Sequence, residues 1–446
     1  MTHESILRTA LDGARYPLSR ALDRAVFELA WLTSPRRSRT HHVIVTPPRE
    51  GNVGDQAMVE SFVHQVEGPV VVIDRVPAIH PLPPERVRIV HLSELLYGFG
   101  VRHLVEVWTF ARLTRSARSV SILGADMMDG RYALRAAIRR AALVEHTARH
   151  GVDARILGFS WNGKSEPRAR RAVARAAAAG VQLFARDPHS AERLRSDGMV
   201  DVVQTADLVF ADDTLDDSAA DALLSPMRRA PLAVLNASAL VGSWFDQVPD
   251  YVALTEHLLR RGRNVVFVPS GKRRTFDDSE AARAVVDEIG NATPQTVAVI
   301  DELWSPAQVR ALIRRSDLLV TGRMHPSIIA LSQGVPPIVM STQGKVSGLL
   351  ALFSLEQNLV EPRPGMSTQV IERLDAILDD VESAKEAVRR RLPTVTGLSR
   401  RNVAGLAAPD RTPAGGEPAH PRPVLVHPVA PSSRAAHASG LDDAPA

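Results

Sequence analysis

Arg323, His325 and Lys345 sit close together in the stretch Asp317–Leu350 and could jointly handle a small polyanion. A guanidinium grips carboxylate or phosphate oxygens in pairs, an ammonium adds a compact point charge, and an imidazole exchanges protons near neutral pH. Their spacing suggests a shared rim. Asp317-Leu318-Leu319-Val320 reads as a buried parallel strand, Thr321-Gly322 ends it, and Arg323-Met324-His325 follows at its carboxyl end. Pro326 suits the first turn of a helix and Gly334 its C-terminal stop. Val335–Met340 reads as the next strand, with Gly344-Lys345 in its exit loop. Open α/β sheets bind ligands beyond the carboxyl ends of their strands, so two adjacent strands would present all three groups together. A lone charged loop residue is more often simply solvated; the shared position at strand ends, with Gly322 permitting close backbone approach, argues for more.

A second set lies upstream. The strand His42–Thr46 leads through Gly51-Asn52-Val53-Gly54-Asp55 into a helix from Gln56. Gly51 and Gly54 would admit a ligand to the main chain, and Asn52 and Asp55 can hydrogen-bond hydroxyls, although Asp55 fits a plain N-cap equally well. The loop lacks the Gly-Lys-Ser/Thr of a Walker A motif and the spacing of a dinucleotide fingerprint. Ser119–Leu123 delivers Gly124-Ala125-Asp126 with Asp129, which are weaker candidates because loop carboxylates often serve as caps. Gln182–Ala185 delivers Arg186-Asp187.

The elements that must position these groups alternate strand and helix through most of the chain. Leu92–Ala111 and Ser367–Arg391 read as single helices, and Asp212–Arg229 as a linker without a strand. The length of 446 residues exceeds one core. The expected division is a helical segment 1–40, an N-terminal α/β domain 41–228, a C-terminal α/β domain 229–395, a returning helix 396–406 and a disordered Pro/Ala-rich tail 407–446. The fold class is α/β, two doubly wound Rossmann-like domains in a GT-B-like arrangement with a cleft between them.

Composition narrows the chemistry. Without cysteine there are no disulfides and no thiolate metal sites or nucleophiles, and 4% aromatic residues argue against a nucleic-acid stacking platform. The pI of 9.7 reflects arginine richness, since only Lys164, Lys272, Lys345 and Lys385 are lysines. No apolar run is long enough for a transmembrane helix and the first residues do not form a signal peptide, so a cytoplasmic, at most membrane-peripheral protein is expected. Ile6–Leu32 carries an apolar stripe flanked by arginines; it could lie on an anionic membrane or pack on the following domain, and packing is the commoner use.

Taken in order, Gly51-Asn52-Val53-Gly54-Asp55, Gly124-Ala125-Asp126, Arg186-Asp187 before Ser190, Asp207, Gly322-Arg323-Met324-His325, Gly334-Val335-Pro336 and Lys345 resemble the polysaccharide pyruvyl transferase family, over roughly His42 to Leu406. The resemblance implies transfer of the enolpyruvyl group of phosphoenolpyruvate onto two hydroxyls of a cell-surface polysaccharide or glycolipid sugar as a cyclic ketal, with release of phosphate. It assigns His325 as catalytic acid/base, Arg186, Arg323 and Lys345 to the donor, and Asn52, Asp55 and Asp126 to a sugar acceptor, lipid-linked or free. Phosphoenolpyruvate is a co-substrate; no cofactor, metal or nucleic acid is expected. Three positions depart from the family pattern and bear mainly on the acceptor. No aromatic precedes Lys345, Ala125 stands where a second glycine is expected, and the 270–277 loop has Gly271-Lys272 without a histidine. The rival readings are a nucleotide-sugar glycosyltransferase of the same fold and a non-catalytic carbohydrate- or phosphate-binding relative.

Overall fold

A computed structural model describes residues 19–406 apart from 36, 49–50, 77, 79, 274–275, 291–292 and 343. The expectations for residues 1–18 and for the tail 407–446 lie outside the described residues.

Two parallel sheets carry the chain. The first has the order β3-β2-β1-β4-β5-β6-β7, built from β1 (His41–Val45), β2 (Val70–Asp74), β3 (Val87–His91), β4 (Ala117–Leu123), β5 (Asp153–Phe159), β6 (Gln182–Ala185) and β7 (Val202–Gln204). The second has the order β12-β9-β8-β13-β14-β15, built from β8 (Leu232–Asn236), β9 (Asn264–Phe267), β12 (Val297–Val299), β13 (Ser316–Thr321), β14 (Pro337–Met340) and β15 (Leu359–Val360). A small hairpin, β10 (Lys272–Arg273) and β11 (Phe276–Asp277), hangs from the loop after β9. Runs such as Val-Val-Val-Ile-Asp in β2 are buried at every residue because helices cover both faces, which is why they lack polar alternation. Each sheet reverses its winding at one point, between β1 and β4 in the first and between β8 and β13 in the second. Ligand sites form at such reversals.

The halves are joined by more than a linker. One apolar cluster runs from Phe62 and Phe210 of the first half to Ile328, Leu349 and Phe353 of the second, with the rings of Phe210 and Phe353 5.6 Å apart. The C-terminal helix then crosses back. Ser399 Oγ donates to Asp207 O (2.6 Å), and Asn402 takes the Gly158 N–H (3.1 Å) while its amide donates to Ala206 O (2.9 Å).

Several boundaries differ from expectation. Helix formation before Ala111 begins only at Gly100, because Gly98 and a left-handed Gly100 punctuate the approach. The linker holds a helix, Ser218–Leu224. The long helix after Ser367 is two, Ser367–Asp379 and Val381–Arg400, because Asp380 breaks the first and caps the second through the Ser383 N–H (3.0 Å). The returning helix therefore begins at Val381, with Pro393 inside it.

Candidate active site

Every candidate side chain emerges at the carboxyl end of a strand. In the first half, Asn52 is the N-cap of the helix Val53–Gln65, its Oδ1 accepting from Gly54 N (2.9 Å) and Asp55 N (3.4 Å). The cap is thus Asn52, and Asp55 is left inside the first turn with a buried carboxyl group. Asp126 follows β4 on a strained turn: Ala125 has φ +47°, a left-handed conformation that costs a non-glycine residue about 1–2 kcal/mol. This accounts for the glycine expected at that position. Arg186 follows β6 and is only 2% exposed. Its Nη1 donates to Asp207 (2.9 Å) and its Nε to Ser160 Oγ (2.8 Å), so part of its charge is already balanced within the first half.

In the second half, Arg323 and His325 stand where β13 gives way to the helix Met324–Ser332, with Pro326 in its first turn and Gly334 left-handed just past its end. Arg323 is paired with Asp278, Nη2 to Oδ1 at 2.7 Å and Nε to Oδ2 at 3.3 Å. Asp278 escaped the sequence reading. It is fully buried and also accepts from Asn236, Ala239 N, Ser270 N and Gly271 N, tying the ends of β8 and β9 to Arg323. Its only sequence signal is the acidic helix start Asp277-Asp278, where Asp277 takes the cap. Gly322 accommodates Ser238 and Val241, each 2.8 Å from where its Cβ would be, so its smallness serves packing.

The halves meet at the site. Gly51 and Gly54 do allow close approach, and what approaches is the facing half. A Cβ on Gly54 would lie 2.1 Å from the His325 ring, and one on Gly51 1.9 Å from Lys272 O. Backbone bonds close the contact, Val53 N to Ser270 O (3.1 Å) and Lys272 N to Gly51 O (2.8 Å). Lys345, after β14, forms an ion pair with Asp126 across the junction, and its Nζ lies 6.0 Å from the ring centre of half-exposed Tyr132. An aromatic ring thus lies near Lys345 from the opposite half, on a loop that gives no sequence cue.

These groups perturb one another. Burial, with the Asp126 charge added, pushes Asp55 up to about 7 against the pull of Arg273, Lys345 and Arg186. Asp126 is held well below the carboxylate range. Burial opposes this, but the charge and hydrogen bond of Lys345, together with Arg186 and His325, outweigh it. His325 is pushed down to about 4, by burial first and then by Arg186 and Lys345, against Asp207 and Asp126. Its Nε2 is shut from solvent and finds no hydrogen-bond partner among the described residues. At neutral pH the arrangement therefore offers a neutral imidazole, a carboxyl poised between its two forms, and an ionised carboxylate held by an ammonium. Pairs of groups driven apart in this way suit acid–base work. Among the described residues no cluster of three His, Cys, Asp or Glu could hold a metal ion.

A family model described as polysaccharide pyruvyl transferase matches residues 52–344, most of the chain and strands β2 to β14. No curated protein matches. Among solved structures, a putative UDP-N-acetylglucosamine 2-epimerase from Listeria monocytogenes aligns over 82% of this chain and 95% of its own, with TM-score 0.54 and 12% identity. Sucrose-phosphate synthase from Thermosynechococcus elongatus aligns over 82% and 98%, with TM-score 0.51 and 13% identity. A glycosyltransferase from Rickettsia africae aligns over 83% and 98%, with TM-score 0.51 and 10% identity. At such identities these structures share the two-domain GT-B-like fold, and nothing more is carried from them.

Proposed function

The chain belongs to the polysaccharide pyruvyl transferase family, and we propose that it moves the enolpyruvyl group of phosphoenolpyruvate onto two hydroxyls of a cell-surface sugar as a cyclic ketal, releasing phosphate. The observation that carries this reading is the convergence of Asp55, Asp126 and Arg186 from one sheet with His325 and Lys345 from the other. Lys345, Arg186 and Arg323 suit the carboxylate and phosphate of the donor, and the first two also shift the titration of the site carboxylates.

In the reaction a proton adds to the methylene carbon while one acceptor hydroxyl attacks the enolic carbon and gives up its own proton. Phosphate then leaves with the electron pair of its C–O bond. The second hydroxyl closes the ring, its proton balancing the departing phosphate. Asp55, able to hold a proton near neutrality, matches the donation to carbon; neutral His325 matches removal of a hydroxyl proton. The acid and base work assigned from sequence to His325 alone is thereby divided between two residues. Asn52, whose amide group remains after its oxygen caps the helix, and Tyr132 belong to the acceptor side.

Incubation with phosphoenolpyruvate and candidate glycans, without any nucleotide, tests the reading. Phosphate release together with a pyruvate ketal on the glycan, seen by mass spectrometry, is expected. Turnover only with a nucleotide sugar would assign a glycosyltransferase instead, and binding without turnover of either donor would assign a non-catalytic relative.

A further inference from the structure

Of the ten large apolar side chains that are exposed among the described residues, six lie on two neighbouring segments far from the site in sequence. The helix over residues 19–33 runs beside the helix Gly100–Thr114, pinned by Asp23 to His103 (2.9 Å), by Phe27 on Phe110 (6.3 Å) and by Arg115 over Trp31 (5.6 Å). Its inner stripe, Phe27, Ala30 and Trp31, is buried, so the packing expected from sequence occurs. A second stripe faces out: Leu22, Ala25, Leu29 and Leu32, at helical spacing. Beside it Val101, Val105 and Phe99 are also exposed.

Charge on this face is one-sided. Arg24, Arg37 and Arg112 are exposed, as are Arg39, which donates to Gly151 O (2.7 Å), and Arg102, which pairs with Glu106. The carboxylates of the two helices turn to partners in the protein: Asp23 to His103 and Arg139, Glu28 to His150, and Glu106 to the Glu94 N–H and Arg102. We propose that this face seats the protein on an anionic membrane surface, its leucines and valines entering the headgroup boundary and its arginines meeting lipid phosphates. A second copy of the chain fits less well, because a two-fold contact would set these arginines against their own copies. No described helix is long and apolar enough to cross a membrane, which suits a face that lies on one. Resting on the transfer reading, this seat makes the acceptor a lipid-linked sugar.

The test is co-sedimentation of the full chain with vesicles, which needs no turnover and so stands or falls apart from the transfer reading. Binding to vesicles of equal parts phosphatidylcholine and phosphatidylglycerol is expected, weakened by salt and largely absent on phosphatidylcholine alone. Combined Leu22→Ser, Leu29→Ser and Leu32→Ser substitution should abolish it. Arg24→Gln and Arg37→Gln, both at exposed positions, should each weaken it about fivefold. The proposal is overturned if the full chain ignores both vesicles, if it binds both equally, or if the arginine variants bind undiminished. Light scattering that shows a dimer split by the leucine substitutions would overturn it too, assigning the face to self-association.

Discussion

Two aspartates of the first half each meet a cation from the second, and they are built differently. Asp212 is saturated. It accepts from Arg310 (3.0 Å), Ser61 (3.1 Å), His64 (3.2 Å) and Thr214 Oγ1 (2.8 Å), and the Asp212 and Arg310 side chains are 1% and 0% exposed. Among the described residues the Asp126 carboxylate takes a hydrogen bond from Lys345 alone, and those side chains are 28% and 15% exposed. A carboxylate surrounded by fixed donors is a tie between halves. One held by a single flexible ammonium can release that ammonium to an incoming anion at little cost. The comparison separates what joins the halves from what works between them, although both pairs look alike as sequence.

Breaking the tie should have the largest effect. Arg310→Ala leaves Asp212 buried with its main counter-charge gone, and about 3–5 kcal/mol of stability should be lost in urea unfolding; a loss below about 1 kcal/mol would deny the contrast. At the working end, His325→Ala should cut turnover by about 10²–10⁴-fold at a smaller cost in stability than Arg310→Ala, and unchanged turnover would remove the residue from catalysis. Lys345→Gln should raise the KM for phosphoenolpyruvate about tenfold or more and cost under about 1 kcal/mol of stability. An effect on stability alone would make Lys345 a second tie. Between these lies a pH signature. kcat/KM should fall below about 4, where His325 takes a proton, and above about 7, where Asp55 loses one. Asp55→Asn should erase the upper limb, and a profile that keeps it would transfer the acid role elsewhere.

What sequence revealed follows from how far each interaction reaches along the chain. Strands with helices on both faces advertise themselves by unbroken apolar runs, so β2 and β13 were legible, and Pro326 and Gly334 marked the ends of the helix between β13 and β14. The stations Asn52, Asp55, Asp126, Arg186, Arg323, His325 and Lys345 were legible because strand ends are local features. Their partners were not. That Gly54 makes room for an imidazole, that Arg323 is anchored on Asp278, and that Tyr132 lies near Lys345 are facts of three-dimensional assembly with separations of up to hundreds of residues. Nor could sequence tell that Asn52 would take the cap and free Asp55. Ala125 is the intermediate case: its departure from the expected glycine was visible, and its left-handed backbone supplies the reason. Ala125→Gly should therefore stabilise the chain by up to about 1 kcal/mol.

The smallest effect sharpens the contrast furthest, because at the tie a histidine hydrogen-bonds to the aspartate itself. The hydrogen bond to Asp212 is the largest influence on His64 and raises it above its ordinary 6.5, against partial burial; the charges of Asp212 and Glu60 add to the rise and Arg310 opposes it. The folded protein therefore holds this proton more tightly than the unfolded chain. His64's contribution is complete below 6.5 and is lost as pH rises through the raised value. Asp212 behaves oppositely, its contribution present above 3.8 and lost only in acid. Glu60, raised mainly by burial, also loses stability as pH rises, so the wild-type slope alone does not isolate the histidine. His64→Gln keeps a hydrogen-bond donor and removes the titration. With the imidazole more than a third exposed, the difference between wild type and variant should shrink by under about 1 kcal/mol between about a unit below 6.5 and about two units above it. Parallel pH dependences in urea would mean that Asp212 is neutralised by Arg310 alone and that the histidine is a bystander at the tie.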